Sequence, residues 1–481
     1  MLTRRRFLGY TALTPAMLAC HPLLRAGAAQ ERSESTEPPL RLAVIGSTYH
    51  LGSDMQTIAD RFLVGYPHEG DWHIPNVQIV SMYVESQQRD PEFAAPAPPH
   101  RTHLASDSQE DWHPKVAQNV QPPPPAEVHA AAPASEESGP MADLSAARSS
   151  EFGFRLCANI PEALRCGGDH LAVDAVLAIV EQVGYPRNDR GQILYPRYDF
   201  FQQCVEVFED EGRAVPYFNH ESLSFSFNEA QSMVATSERL KFPLLAGSSL
   251  PVTWRMPDVD IPLDAHIEEA VMVGMGPLDG KDFDALEAMQ CMLERRKGGE
   301  TGVKAVQLLE GDDVWAAGDS GRWSKELLSS ALSRSDAIFG LTMLDGRPQD
   351  LVAAGVLPQL VKDPAAYCIE YNDGTRATLL MLTGASGDFT FAARLAGAES
   401  ISTQFFRSPA PNNTFSACLA AKIEHMFTAR AAPYPVRRTM LTSGLLEAGL
   451  LSRRRLNDKI ETPHLAAVKY DPPAESQYAR T

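Results

Sequence analysis

The stretch AVDAVLAIV, residues 172–180, constrains the fold more than any other part of the chain. Eight of its nine residues are apolar, broken only by Asp174, so a strand built from it is apolar on both pleats and needs cover on both faces. A helical pattern follows. Phe201, Cys204, Val205 and Phe208 share one face, and Gly212 stands where the helix would stop. Next comes a predicted strand VPYF at 215–218, then a helix opened by the capping-box pattern Ser226–Phe–Asn–Glu229 with Ala230, Met233, Val234 and Leu240 at helical spacing, then a strand in FPLLAG. Two earlier apolar runs, LRLAVIG at 40–46 and VQIVSMYV at 77–84, extend the same alternation. Strand–helix repetition of this kind predicts a doubly wound parallel sheet. Ligands of such sheets bind beyond the carboxyl ends of the strands, which directs attention to Gly46, Glu85, Glu181, Asn219 and Ser248.

After about residue 256 the pattern changes. A long helix in FDALEAMQCMLERRKGG is followed by strand-like VKAVQLLEG, AAYCIEYNDGTRATLLMLTG and DFTFAARLAG, and a helix in MLTSGLLEAGLLSR closes the chain. Asn372–Asp373–Gly374 between two alternating runs is a hairpin signal. The expected second domain, 256–481, is therefore α+β around a largely antiparallel sheet, and the first spans 38–255. Residues 88–150 interrupt the first domain with 11 of the 36 prolines and few aliphatic side chains, too little to offset ordering entropy, so the segment reads as a disordered insertion. Its histidines, His100, His103, His113 and His129, are scattered, and no metal site is expected.

The N-terminus reads as a targeting segment. TRRRFLG matches the twin-arginine export pattern, an apolar stretch too short to span a bilayer follows, and small residues stand at AGAA. The expectation is a signal peptide over 1–29 and a periplasmic protein, with lipid attachment at Cys20 the lesser alternative. A net charge of −18 excludes a sequence-independent grip on nucleic acid or anionic lipid. No later run is long enough for a membrane span. The other six cysteines contain no C-x-x-C pair and read as buried free thiols.

The chemistry-bearing candidates fall in three groups. Gly46, Ser47 and Thr48 form a strand-to-helix turn that can take phosphate without the full G-x-G-x-x-G set; Glu85, after the second strand, could take ribose hydroxyls or equally be a solvated residue, and Glu181, at the end of the third, is a further cofactor-binding candidate. A plain structural turn is the equal alternative. Trp254 and Arg255, just after a strand on the cleft side, suit a sugar face or equally interdomain packing. Arg295 and Arg296 in ERRKGGETGV read first as a helix C-terminus and second as a grip on an anionic substrate.

The order of elements, with EYNDGTRATL, PYPVRRTMLTSGLLEAGLLSR, GSSLPVTWR and ERRKGGETGV, resembles the glucose-fructose oxidoreductase / inositol dehydrogenase / MocA-like family over nearly the whole chain outside the insertion. The resemblance implies a Rossmann-type domain holding NAD or NADP, a sugar- or polyol-like substrate between the domains, and a homo-oligomer built through the C-terminal sheet. It also implies where catalysis would sit. The family's E-K-P lysine falls on FNHESLS, residues 218–224, which offers His220 and Glu221 but no lysine. Its D-x-G-x-H histidine falls on Asp284 of GKDFDALE. A glutamate in place of the lysine reverses local charge, so the usual proton transfer would pass to Glu221, His220 and Asp284. The alternatives are a carboxylate-dependent lyase or hydrolase using Glu221, Asp284 and Glu287, and a catalytically inactive binding or scaffold protein.

Overall fold

The computed structural model describes residues 38–87, 142–181, 184–337, 350–409 and 412–480. The targeting segment with Cys20, and most of the proline-rich insertion with its four histidines, lie outside these residues. The insertion's last part is ordered, contrary to the expectation. Residues Ser145–Phe152 form a helix that starts where Asp143 accepts the Ser145 amide at 2.8 Å and stops at left-handed Gly153. Its polar composition hid that local capping.

Eight strands precede the compositional change near residue 256: β1 (Leu40–Gly46), β2 (Tyr66–His68), β3 (Asp71–His73), β4 (Val77–Val84), β5 (Arg155–Leu156), β6 (Ala175–Ile179), β7 (Tyr217–His220) and β8 (Leu244–Gly247). Six of them form a parallel sheet in the order β5-β4-β1-β6-β7-β8, and β2–β3 is a separate hairpin. Counted within the sheet alone the order is 3-2-1-4-5-6, the dinucleotide-binding arrangement whose strand order reverses between β1 and β6. All five residues of β6 are buried, as the continuous apolar run demanded. The strand expected at 215–218 is shifted by two residues, to Tyr217–His220, because its backbone pairs through Asn219 and His220 with Ala246 and Gly247. The expected capping box does not form. Ser226 makes no side-chain cap, Glu229 instead accepts from the Ser224 hydroxyl, and the Phe227 amide goes to Glu447 at 2.8 Å.

The second sheet adds β9 (Arg255–Met256), β10 (Ile267–Gly274), β11 (Val303–Glu310), β12 (Ala365–Tyr371), β13 (Arg376–Met381), β14 (Phe389–Leu395), β15 (Ile401–Phe405) and β16 (Ile460–Glu461). Their order is β16-β11-β12-β13-β10-β14-β15-β9, antiparallel except where β10 meets β13. The β12–β13 hairpin turns at Asn372–Gly374 as its sequence indicates. The fold is thus a Rossmann-type doubly wound domain followed by an α+β domain with a largely antiparallel sheet. One face of the first sheet is closed by the Asp54–Val64 and Phe415–Ala429 helices, which share an apolar cluster through Ile58, Phe62, Ile423 and Met426. Among the described residues no helix is long and apolar enough to cross a membrane.

Two helices lock the second sheet. Lys281–Leu293 is buried on every side from Asp282 onward, and Arg437–Arg454 packs against both it and β11. The tightest approach is at Gly449, where a Cβ would run into the Tyr367 ring of β12, itself pinned by donating to Asp282 at 2.6 Å. Gly449→Ala gains about 1 kcal/mol of helix propensity but meets an overpacking cost of about 1–3 kcal/mol. The expected outcome is a melting temperature lowered by a few degrees; an increase would show that the helix can slide off the sheet at no cost.

Candidate active site

β7 ends at His220, and the next residue, Glu221, turns the chain with φ 66° while its amide donates to the Gly247 carbonyl at 3.1 Å. That left-handed conformation costs a non-glycine residue about 1–2 kcal/mol. Strain of this kind is held only where surrounding structure over-determines it. The turn presents Glu221 to the first turn of the Lys281–Leu293 helix, where Lys281 Nζ donates to Asp284 Oδ2 at 2.8 Å. His220 Nε2 stands 3.5 Å from Glu221 Oε1, and its Nδ1 stands 3.9 Å from Asp54 Oδ2. Nδ1 is buried and makes no hydrogen bond with any described residue. These side chains, with Gly52, Thr57, Ser249, Arg407, Asn413 and Phe415, line a cavity of about 200 Å³. Pockets for drug-sized ligands run to roughly 300–1,000 Å³, so this one suits a small polar ring rather than a whole dinucleotide.

Burial decides the charges. It pushes the Glu221 carboxyl well above the usual carboxylate range, reinforced by neighbouring Asp284, so the protonated form of Glu221 is favoured. It pushes His220 down, leaving the imidazole neutral. Asp284 is also buried, but Lys281 outweighs that and holds it ionised, while Asp284 in turn raises Lys281. The site therefore offers a protonated acid, a neutral base with a free nitrogen, and an ammonium group within one cavity. Separated protonation states of this sort divide acid and base roles. The charge reversal inferred from the sequence is offset: burial favours the protonated form of Glu221, and Lys281, reaching in from another element, supplies a cation. Sequence reading passed over Lys281 because it lies three residues before the aligned Asp284 and some sixty from β7.

The opening turn has a different character. Ser47 donates its hydroxyl to the Glu181 carbonyl at 3.1 Å and accepts from the Glu181 amide at 2.9 Å, and its own amide donates to Ile179. The Glu181 carboxyl then accepts from the amides of Asp54 at 3.1 Å and Met55 at 3.3 Å. Ser53 caps the Gln56 amide at 3.1 Å, and the Gly52 amide is held by Gln56. The helix N-terminus that would attract a diphosphate is thus capped by the protein's own side chains. Gly46 fits this closed turn, since a Cβ there would sit 2.7 Å from both the Ile179 carbonyl and Met55 Sδ. Thr48 is half-buried beside it, and Glu85 accepts from the Tyr185 hydroxyl. A nucleotide diphosphate fits this turn only with the Glu181 carboxyl withdrawn.

The structure brings Glu221, His220 and Asp284 together but does not bring the four substrate-binding candidates to them. Arg296 is buried in a pair with Glu300 at 3.0 Å and Asp373 at 2.7 Å, with its guanidinium 4.3 Å above the Tyr371 ring. Arg295 donates to the carbonyls of Ile261 at 2.6 Å and Pro473 at 3.2 Å. Arg255 pairs with Asp260 at 2.9 Å and stacks 3.9 Å from the Tyr478 ring centroid. Trp254 packs edge-on to Phe406. All four are used by packing. Glu287, also considered, is buried against Thr442 at 2.6 Å and lies behind Gly247 rather than in the cavity.

No family model matches the chain, and no curated protein matches it in sequence. Solved structures similar to it include GenD2 from gentamicin A biosynthesis in complex with NAD, at 12% identity and TM-score 0.49, covering 90% of this chain and 98% of that one. A probable dehydrogenase from Thermotoga maritima is 10% identical with TM-score 0.47, covering 89% of this chain and 100% of that one. Myo-inositol dehydrogenase from Lactobacillus casei in complex with NAD(H) and myo-inositol is 8% identical with TM-score 0.46, covering 88% and 96%.

Buried carboxyls give the site a pH signature. Burial, then Asp54, raises Glu181 to about 8, and burial raises Glu287 and Asp279 to about 7. Each binds its proton more tightly folded than unfolded, so each removes stability as pH climbs from its ordinary value to the raised one. The two histidines with lowered values, buried His220 and exposed His464, oppose this only below their ordinary 6.5. Between pH 6.5 and 8 the melting temperature should therefore fall, and Glu181→Gln should flatten the slope. A wild-type curve that rises across that window would contradict these protonation states.

Proposed function

We propose that the chain is an exported NAD(P)-dependent oxidoreductase-type enzyme acting on a sugar- or polyol-like substrate. The observation that carries the reading is the Lys281–Asp284 pair, its carboxylate buried and its ammonium half-exposed, facing Glu221 and neutral His220 in an open cavity beyond the carboxyl end of the parallel sheet. Lys281 would polarise a substrate oxygen, and His220 Nδ1 is free to accept a hydroxyl proton. Asp284 keeps Lys281 charged and in place, and Glu221 holds a second proton beside His220. When bound, the nicotinamide would supply the hydride acceptor or donor. Ser47, Thr48 and the Asp54 and Met55 amides are the groups that would hold its diphosphate once Glu181 has moved. The twin-arginine pattern supports a periplasmic location.

One observation favours a second reading. The amides of the opening turn are satisfied without a ligand, so the same acid–base cluster could serve a nucleotide-free lyase or hydrolase.

Titration of NAD(H) and NADP(H) into wild type, Glu181→Gln and Glu181→Ala, followed by calorimetry, separates the two. Removing the competing carboxyl should tighten nucleotide binding about tenfold, the scale of one hydrogen-bonded contact. In wild type, affinity should weaken as pH rises past about 8, where Glu181 ionises. If no variant takes up nucleotide while a sugar still binds, the oxidoreductase reading is lost and the second one stands. On any sugar that is turned over, Lys281→Met and His220→Gln should each lower kcat by about 10²–10⁴.

A further inference from the structure

Arginines that the core takes in have acceptors waiting for them. Arg61 donates to Ser416 and to two backbone carbonyls, Arg197 to the Val180 carbonyl, and Arg438 to Glu294. Arg407 does not follow this pattern. It leaves the end of β15, is half-buried, and holds its guanidinium 5.6 Å from the ring centroids of both Phe389 and Phe415. Among the described residues it has no carboxylate within ion-pair distance and no hydrogen-bond acceptor, yet it lines the cavity that holds Glu221, His220, Lys281 and Asp284. Two aromatic rings fix the direction of a planar five-donor fork, so the ordering entropy of a long side chain has already been met before any ligand arrives.

Arg407 acts on the Asp284 carboxylate only at a distance, and that carboxylate is already taken, which leaves the guanidinium donors without a protein acceptor among the described residues. Lys281 is engaged by Asp284 at 2.8 Å. Glu221 is held neutral by burial, and Asp54, half-exposed at the rim, makes no ion pair with Arg407. A neutral sugar would leave this guanidinium without an acceptor inside a partly desolvated cavity, which costs free energy; an oxyanion would meet it with two parallel N–H···O bonds.

Resting on the oxidoreductase reading of this cavity, we propose that Arg407 is the anchor for an anionic group on a sugar-like substrate, so that the site takes sugar acids or sugar phosphates in preference to neutral sugars. Carboxylate and phosphate monoester share the oxyanion chemistry that the fork recognises. A second source of the same chemistry is the phosphate of a nucleotide, and the experiment separates the two.

Binding of D-glucose, myo-inositol, D-glucuronate, glucose 6-phosphate and inorganic pyrophosphate is measured by calorimetry on wild type, Arg407→Gln and Arg407→Lys. At least one charged sugar should bind wild type about tenfold or more tighter than its neutral counterpart. That ratio should collapse toward one in Arg407→Gln and recover in part in Arg407→Lys, which keeps the charge and guards against a merely misfolded variant. A ratio near one in wild type, or one that survives Arg407→Gln, overturns the proposal while leaving the oxidoreductase reading intact. If pyrophosphate alone depends on Arg407, the anion belongs to the nucleotide and the substrate assignment is wrong. If no sugar of either kind binds, the proposal and the sugar-directed reading fall together.

Discussion

The architecture depends on burying the Lys281–Leu293 helix between the mixed sheet and the Arg437–Arg454 helix. The helix carries Asp282, Asp284, Glu287, Gln290 and, at its C-cap, Glu294 into the interior, and each needs a partner there. Tyr367 donates to Asp282, Thr442 to Glu287, Tyr371 to Gln290, and the Arg438 guanidinium to Glu294 at 2.8 Å. Those partners come from β12 and from the Arg437–Arg454 helix, so the polar residues of one helix dictate where two other elements must lie. Losing one partner of a buried ion pair such as Arg438–Glu294 costs about 3–5 kcal/mol, because the other charge is left without compensation. The same register delivers Lys281 and Asp284 to the cavity, which ties the site's geometry to the core's polar network.

Desolvation then sets the chemistry. In water Glu221 and Asp284 would both be anions, and two anions beside a reacting oxygen would repel a developing alkoxide. Buried side by side they divide: Asp284 takes the ammonium of Lys281 and stays charged, and Glu221 keeps its proton. His220, desolvated and with nothing among the described residues bonded to Nδ1, stays neutral. An acid, a base and a cation thus arise from residues whose ordinary charges would have predicted an acidic patch.

The opening turn shows how a sheet of this order can be closed from within. Ser47 and Glu181 bridge the point where strand order reverses, and Glu181 caps the helix that would otherwise attract phosphate. A helix N-terminus has a fixed number of free amides, and any acceptor inside the protein competes with any anion outside it. The strand order establishes a crevice; whether that crevice is open is decided by one carboxyl group.

The periodicity of apolar residues made the parallel sheet, the β12–β13 hairpin and the long helices legible, because burial on one or both faces leaves a pattern every two or every 3.6 residues. His220, Glu221 and Asp284 came forward through resemblance rather than through any local signal. What periodicity could not show was partnership. Arg295 and Arg296 look like an anion grip in a glycine-rich run, but Glu300 lies four residues from Arg296 and Asp373 on the distant hairpin, and both close on it only after folding. Lys281 and Arg407 look like ordinary surface cations until the chain brings positions 54, 220, 284 and 415 around them. Sequence alone therefore determined which segments are buried and in what class of sheet, since that depends on neighbours along the chain. Only the tertiary structure decided which charges are neutralised, which are free and which are aimed at a cavity, since that depends on desolvation and on neighbours hundreds of residues away.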